Sequence, residues 1–186
     1  MSKYSEEEII AGCIAGKEKF QKILYMDKYN LFYRVCIRYT KCYTDAEQLT
    51  NDGFIKIFNN IKSYSNKGSF EGWMRRIMVN TCLDHLKSKR VQQQKKTVGT
   101  DDYTENVYFT IHENAIDKIA YDDLLNMIHS LPETTQLVFN LFIMEGFSHR
   151  EIAQKLGISE GTSQWHVNNA RKILQAKIKA MNKEEN

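Results

Sequence analysis

At 186 residues, with 42% apolar side chains and a net charge of +3, the chain has room for one domain or two small ones and is too apolar to be disordered throughout. No apolar run approaches the length of a membrane span, and an acidic start (Glu6, Glu7, Glu8) does not suit a secretory signal, so a cytoplasmic protein is expected. The four cysteines, Cys13, Cys36, Cys42 and Cys82, lack CxxC spacing and fall inside helical patterns, which reads as small buried hydrophobes and excludes a disulfide frame or zinc site.

Ser5 to Ala15 reads as a short helix, with Ser5 and Glu8 forming a capping box. Gly12 to Lys17 has the look of a phosphate loop. It is one residue short between its glycines, however, and Glu18 stands where the magnesium ligand belongs, so Gly16 is expected simply to break the chain between helices. A long helix should follow from Glu18 to Tyr39, with Phe20, Leu24, Leu31, Val35 and Tyr39 on one side. Thr44 is the expected cap of the next helix, with Glu47 three residues later. Ala46, Leu49, Gly53 and Ile57 form its buried stripe; Asp45, Gln48, Asp52, Lys56 and Asn59 lie opposite, a face that solvation alone would explain.

A turn-rich loop from Ser63 to Phe70 leads into a helix expected over Glu71 to Arg90. Met74, Ile77, Met78 and Thr81 make its core side, while Arg76, Asn80, Leu83, Lys87 and Arg90 recur at three- and four-residue steps on another. With Tyr64, Lys67, Phe70 and Trp73 beside it, this basic stripe suits a nucleic-acid strand. Cations hold phosphates, and rings stack on unpaired bases at roughly 1–3 kcal/mol per base. At least one of Phe70 and Trp73 is expected to pack inward instead. Charge is segregated: residues 54–90 hold eight Lys/Arg against Glu71 and Asp84, whereas residues 121–147 hold Asp122, Asp123, Glu133 and Glu145 and no Lys or Arg. A polyanion partner fits the first segment, and a protein contact or plain solvation the second.

Residues 92–114 turn glutamine-led and then acidic, and read as a flexible linker. Fully extended they reach about 80 Å, at roughly 3.3–3.6 Å each. Two turns of DNA span about 70 Å, so the tether permits two contacts that far apart. Helices resume from Ala115 to Ser130, and again from Pro132, at the first helical position, to Glu145, stopping at Gly146. Val138, Leu141 and Phe142 are expected to pack against the two helices beyond Gly146. With no β-pattern anywhere, the expected fold is all-α: two small helical domains, residues 1–91 and 115–186, the second a four-helix unit.

That second unit contains the most specific local signal. Ser148 and Glu151 form a capping box, Ile152, Ala153 and Leu156 a short apolar face, and Gly157 a left-handed helix end. Ile158 plugs the turn, and Ser159 caps a longer helix striped by Val167, Ala170, Leu174 and Ile178. This is a helix-turn-helix, whose second helix enters the major groove. Its outward side carries Gln164, Trp165, His166, Asn168, Asn169 and Lys172, and the amides of Gln and Asn can pair two-pronged with adenine. A solvated helix in a bundle is the bland alternative, but turn, caps and polar face agree on base reading. Trp165 either touches DNA or packs on a neighbouring helix or protein.

DAEQLTNDGFIKIF, then FEGWMRRIMVNTCLDHLK, then a linker, then LPETTQLVFNLFIMEGFSHREIAQKLGISEGTSQWHVNNARKIL together resemble a bacterial RNA polymerase sigma factor. The resemblance is to the small two-domain extracytoplasmic-function (ECF) type, and it covers nearly the whole chain. It implies that residues 1–91 are a region 2-like domain and residues 115–186 a region 4-like one. Asp45, Glu47, Gln48, Leu49, Asp52 and Phe54 match the helix that docks on core RNA polymerase. Arg76 and Asn80, with Tyr64, Lys67, Phe70 and Trp73 before them and Lys87 after, match the part that captures a flipped base of the melted minus-10 element. Gln164, Trp165, His166 and Asn169 match the readers of the minus-35 element, with Arg150, Ser159, Thr162, Asn168, Arg171 and Lys172 completing the contact. The family usually places Lys or Arg where this chain has Gln164, His166 and Asn169, so Arg150, Arg171 and Lys172 carry more of the phosphate attraction and an A·T-tolerant read is implied. The implied partners are core RNA polymerase, promoter DNA and an anti-sigma factor, commonly membrane-anchored. No cofactor, metal or small-molecule substrate is implied.

Two other classes can be weighed against this. An autonomous helix-turn-helix regulator would bind duplex DNA tightly by itself, on two-fold related half-sites. An enzyme is disfavoured, because His85, His112, His129, His149 and His166 are scattered and HExxH does not occur.

Overall fold

The structure, a computed structural model, describes residues 4–95 and 115–184 and divides into two compact units after Val107. The described residues are helical, with no strand among them. None of these helices is long and apolar enough to cross a membrane. Of the linker expected over 92–114, residues 96–114 lie outside the described part, and its first residues instead continue a helix.

In the first unit, α1 (Glu6–Ile14) starts from the expected box: Ser5 Oγ accepts from the Glu8 amide at 3.2 Å, and Glu8 Oε2 from the Ser5 amide at 2.8 Å. Gly16, at φ +70°, turns the chain into α2 (Glu18–Ile37). Leu24, Val35 and Tyr39 are buried as expected, and Phe32, Cys36 and Ile37 join them. The next helix, α3, runs Tyr43–Asn60, two residues earlier than a Thr44 cap allows. Cys42 holds the cap position, and its Sγ lies 2.8 Å from the Thr44 hydroxyl, so no side chain caps this helix. Ala46, Leu49, Gly53 and Ile57 are buried, as their spacing predicts.

After a single 3₁₀ turn (Ile61–Ser63) and a loop, α4 spans Phe70–Lys95, longer at both ends than expected. Ser69 is a cap that helical spacing does not mark, its Oγ accepting from the Gly72 amide at 3.1 Å. Met74, Met78, Val79 and Cys82 are fully buried against α2 and α3, and the Cys82 and Cys36 sulfurs meet at 3.7 Å as packed free thiols. Cys13 is buried too, whereas Cys42 is half-exposed.

The second unit comprises α5 (Ala115–His129), α6 (Glu133–Phe139), α7 (His149–Leu156) and α8 (Glu160–Glu184). Pro132 sits one place earlier than expected, in the cap position of α6 with extended ψ of 139°, and its carbonyl accepts from the Gln136 amide at 2.8 Å. The helix expected to continue to Glu145 changes winding at Asn140: Asn140–Met144 is one turn of π-helix, closed by the Glu145 amide on the Asn140 carbonyl at 3.1 Å. Ile128, Leu131, Phe139 and Ala170 form a core with Ile173 and Leu174 packed against it. Val138, Leu141, Ile152 and Val167 are buried as well. Ile178, expected in the buried stripe, is exposed, because the core ends one turn earlier at Leu174.

Candidate nucleic-acid interface

The turn between α7 and α8 is built from local chemistry. Ser148 Oγ accepts from the Glu151 amide at 3.2 Å while Glu151 Oε2 accepts from the Ser148 amide at 2.9 Å, which fixes the start of α7. Gly157 ends it in the left-handed region (φ 68°, ψ 35°), and the amides of Gly157 and Ile158 both donate to the Ala153 carbonyl, at 2.9 and 3.1 Å. Ser159 Oγ then accepts from the Thr162 amide at 3.0 Å and opens α8. Two further contacts brace the motif. His149 Nδ1 and the buried Ser163 hydroxyl meet at 2.9 Å, tying α7 to α8. The Phe142 ring, presented by the π-turn, stacks on His149 at 4.1 Å.

On α8, Gln164, Trp165, Asn168, Arg171 and Lys172 are exposed, Asn169 is half-buried, and Arg150 stands exposed on α7. The hydroxyls of Ser159 and Thr162 lie 2.8 Å from each other at the cap, exposed but already engaged. His166 departs from its expected place among the outward residues. It turns toward α6, where its Nδ1 hydrogen-bonds the buried Thr135 hydroxyl at 3.0 Å. Burial there lowers its affinity for protons below that of ordinary histidine, which favours the neutral ring.

On α4, Arg76, Asn80 and Lys87 are exposed, but Leu83, placed with them by spacing, is only 5% exposed and belongs to the core. The side chain of Arg90 lies outside the described ones. Phe70 is 1% exposed, so it cannot stack on a base; it packs parallel to Trp73 at 5.8 Å. Tyr64 leans on both rings, at 5.0 and 5.6 Å, and donates its O–H to the Gly68 carbonyl at 2.8 Å, while Lys67 is exposed at the loop tip. Tyr64 and Trp73 are thus half-buried, with Phe70 packed inside against both.

A groove of about 340 Å³ opens beside them, lined by Lys56, Asn60, Ser63, Trp73, Ile77, Asn80, Thr81 and Asp84. Lys56 reaches Asp84 across it at 3.6 Å. Asn60, Ser63 and Asp84 were not singled out from the sequence. Only the packing of α3 on α4 brings them together, although Trp73, Ile77, Asn80 and Asp84 do share one helical spacing.

The polar face of α3 needs two corrections. Leu49 and Phe54, matched to polymerase docking, are 3% and 2% exposed; Phe54 is wedged between Tyr25 at 4.8 Å and Phe32 at 5.8 Å. Such residues shape the helix from beneath and cannot meet a partner. Asp45 is tied to α4 by Lys89 at 2.5 Å, with His85 at 3.8 Å. Glu47 lies near Tyr29, whose phenol burial, and then Glu47, push up to about 12. Gln48 is exposed, Asp52 is half-buried, and Ile55 is 58% exposed on the same face. An apolar residue three positions after Asp52 and seven after Gln48, Ile55 does not stand out in a polar pattern.

Residues 24–91 match the family Sigma-70 region 2, and residues 121–174 match Sigma-70, region 4; together they cover more than half of the chain. The ECF RNA polymerase sigma factor SigE of Mycolicibacterium smegmatis is 29% identical over 150 residues, 77% of this chain. The matched part spans about half of that protein's length, 55%. The ECF RNA polymerase sigma factor SigW of Bacillus subtilis is 26% identical over 165 residues, covering 84% of this chain and 86% of that protein. Among solved structures, the sigma factor RpoE of Bartonella quintana, crystallised with the anti-sigma factor NepR, shares the fold. Its TM-score is 0.58 at 20% identity, over 85% of this chain and 96% of that one.

Proposed function

The chain belongs to the sigma-70 family, and on that premise we propose that it acts as an extracytoplasmic-function sigma factor, a dissociable subunit that gives core RNA polymerase its choice of promoter. In this reading α8 enters the major groove of the minus-35 element, where Gln164, Trp165, Asn168 and Asn169 meet base edges and Arg150, Arg171 and Lys172 meet phosphates. The groove between α3 and α4 receives the melted minus-10 strand, with Arg76, Asn80 and Lys87 along the backbone and Tyr64 and Trp73 beside the base. The exposed α3 face, Gln48, Asp52 and Ile55, docks on core polymerase. Residues 1–91 and 115–186 serve as the two working domains, and 92–114 as their tether.

The observation that carries this proposal is the pairing in one chain of a capped helix with an outward polar face and a separate polar groove lined by Trp73 and Asn80, on a helix that also exposes Arg76 and Lys87. Duplex reading and capture of an unstacked base are both needed at a start site. Taking a base from the stack costs a few kcal/mol, so the free protein is not expected to melt DNA unaided. The protein carries no reaction of its own; the polymerase does, and the complex works in the cytoplasm. An anti-sigma factor that covers the DNA- and polymerase-facing sides until a signal removes it is the expected regulator, and the segregated charge is compatible with such a partner.

Gel shifts with and without core polymerase test the assignment. Specific binding that requires core supports it, whereas tight binding by the free chain to two-fold symmetric duplexes favours an autonomous regulator and contradicts it.

A further inference from the structure

We propose that Trp165 is a specificity-determining residue that reads thymine C5-methyl groups in the major groove, and that His166 is the positioning residue that aims its indole. The proposal rests on the groove docking of α8 under the sigma-factor reading and names the bases that the helix selects.

Four observations converge on Trp165. Gly161, Trp165, Asn168 and Lys172 follow one another at steps of four, three and four, and so share one face of α8. That face points away from Ser163, Val167 and Ala170, which are buried. In its middle stands an indole that is 59% exposed; the next exposed large apolar residues of α8, Ile178 and Met181, lie more than three turns further on.

The indole is also braced. It meets the His166 ring edge to face, centroids 4.9 Å apart at 76°, and His166 is held in turn by the buried Thr135 hydroxyl at 3.0 Å. A tryptophan that only coated the surface would need no such chain of contacts reaching back to α6. One turn before it, a Cβ at Gly161 would meet nothing closer than Ser159 Oγ at 3.8 Å. The first turn of α8 therefore presents bare backbone beneath the indole, with room for base edges to come close.

The last observation is electrostatic. From Glu160 to Ala170 the helix has no Lys or Arg, and burial lowers the proton affinity of the one histidine. Guanine is most often read by Arg or Lys, so this segment is poorly equipped for it. Amides pair with adenine, and apolar groups pack on the methyl of thymine. Trp165 beside Asn168 thus offers one contact for each member of an A·T pair.

The test uses the full chain with core RNA polymerase on a genomic fragment from which the pair initiates. A second template carries deoxyuridine in place of thymidine in the upstream element, which removes methyls and preserves every base pair. The wild type should initiate about fourfold less per contacted methyl, the value of burying one methyl-sized group. Trp165→Ala should initiate weakly and equally on both templates. Thr135→Val should lose most of the discrimination, and Thr135→Ser, which keeps the hydroxyl, should restore it.

Equal initiation by the wild type on both templates would overturn the proposal. So would discrimination that survives Trp165→Ala, or a Trp165→Ala defect that persists when the upstream element is scrambled, which would mean that the indole packs on protein. Failure of the underlying function would look different: no discrete start on the thymidine template at all.

Discussion

Met78 lies across Gly53 so closely that a Cβ at position 53 would fall on its sulfur. This contact sets how near α3 approaches α4, and so sets the width of the groove between Lys56 and Asp84. Gly53→Ala is expected to cost about 1–3 kcal/mol through overpacking. Gly161→Ala should behave oppositely, because its Cβ would make only an ordinary contact, with Ser159 Oγ at 3.8 Å. Folding should be unchanged or improved by about 0.5–1 kcal/mol, while initiation falls about fivefold or more as the new methyl holds α8 off the bases. Urea unfolding and transcription assays on the two variants separate the effects.

The exposed face of α3 makes a second contrast. Ile55→Glu, at an exposed site, should change stability by less than about 0.5 kcal/mol and yet weaken binding to core polymerase by about tenfold. Leu49→Ala should instead destabilise the fold by about 2–5 kcal/mol, and should lower polymerase binding only as far as folded protein is lost. Titration of labelled core with each variant, beside its melting curve, distinguishes a contact residue from a supporting one.

His166 predicts a pH dependence. Its proton affinity is lowered in the fold by burial, so the unfolded chain takes up a proton first as pH falls. The stability that this contributes is present above about pH 6.5, the unfolded value, and is lost as pH drops through the lower folded value. Unfolding free energies between about pH 7 and pH 5 should decline in the wild type, and part of that decline should vanish in His166→Gln. An unaltered slope in the variant would contradict the assignment.

Asn80 stands exposed on the groove with Trp73 beside it. Asn80→Ala should leave polymerase binding intact but reduce strand opening by about fivefold or more, the lower end of what one captured base supplies. Permanganate reactivity of melted thymines in the start region reads this directly.

The sequence made the helix-turn-helix legible because its determinants are local: Ser148 with Glu151, Gly157 and Ser159 each act within a turn of themselves. Helix faces were harder to assign. Spacing places Leu49 correctly in the buried stripe, and only the resemblance puts it on the docking face. Leu83 and Phe54 sit where an apolar stripe borders a polar one, and helical spacing does not say which side of that border is covered. The π-turn at Asn140–Met144 leaves no mark in composition. His166 reads as an outward neighbour of Trp165 until Thr135, on another helix, is seen to hold it. The groove likewise joins Lys56 and Asn60 of α3 to Asp84 of α4, residues that only tertiary packing makes neighbours.

Sequencing the 5′ ends of transcripts made in vitro by core RNA polymerase, with and without this chain, addresses the central claim most directly. The expected result is a new, discrete set of start positions that share two upstream elements and disappear when the chain is omitted. Identical start positions and yields in the two reactions would contradict it.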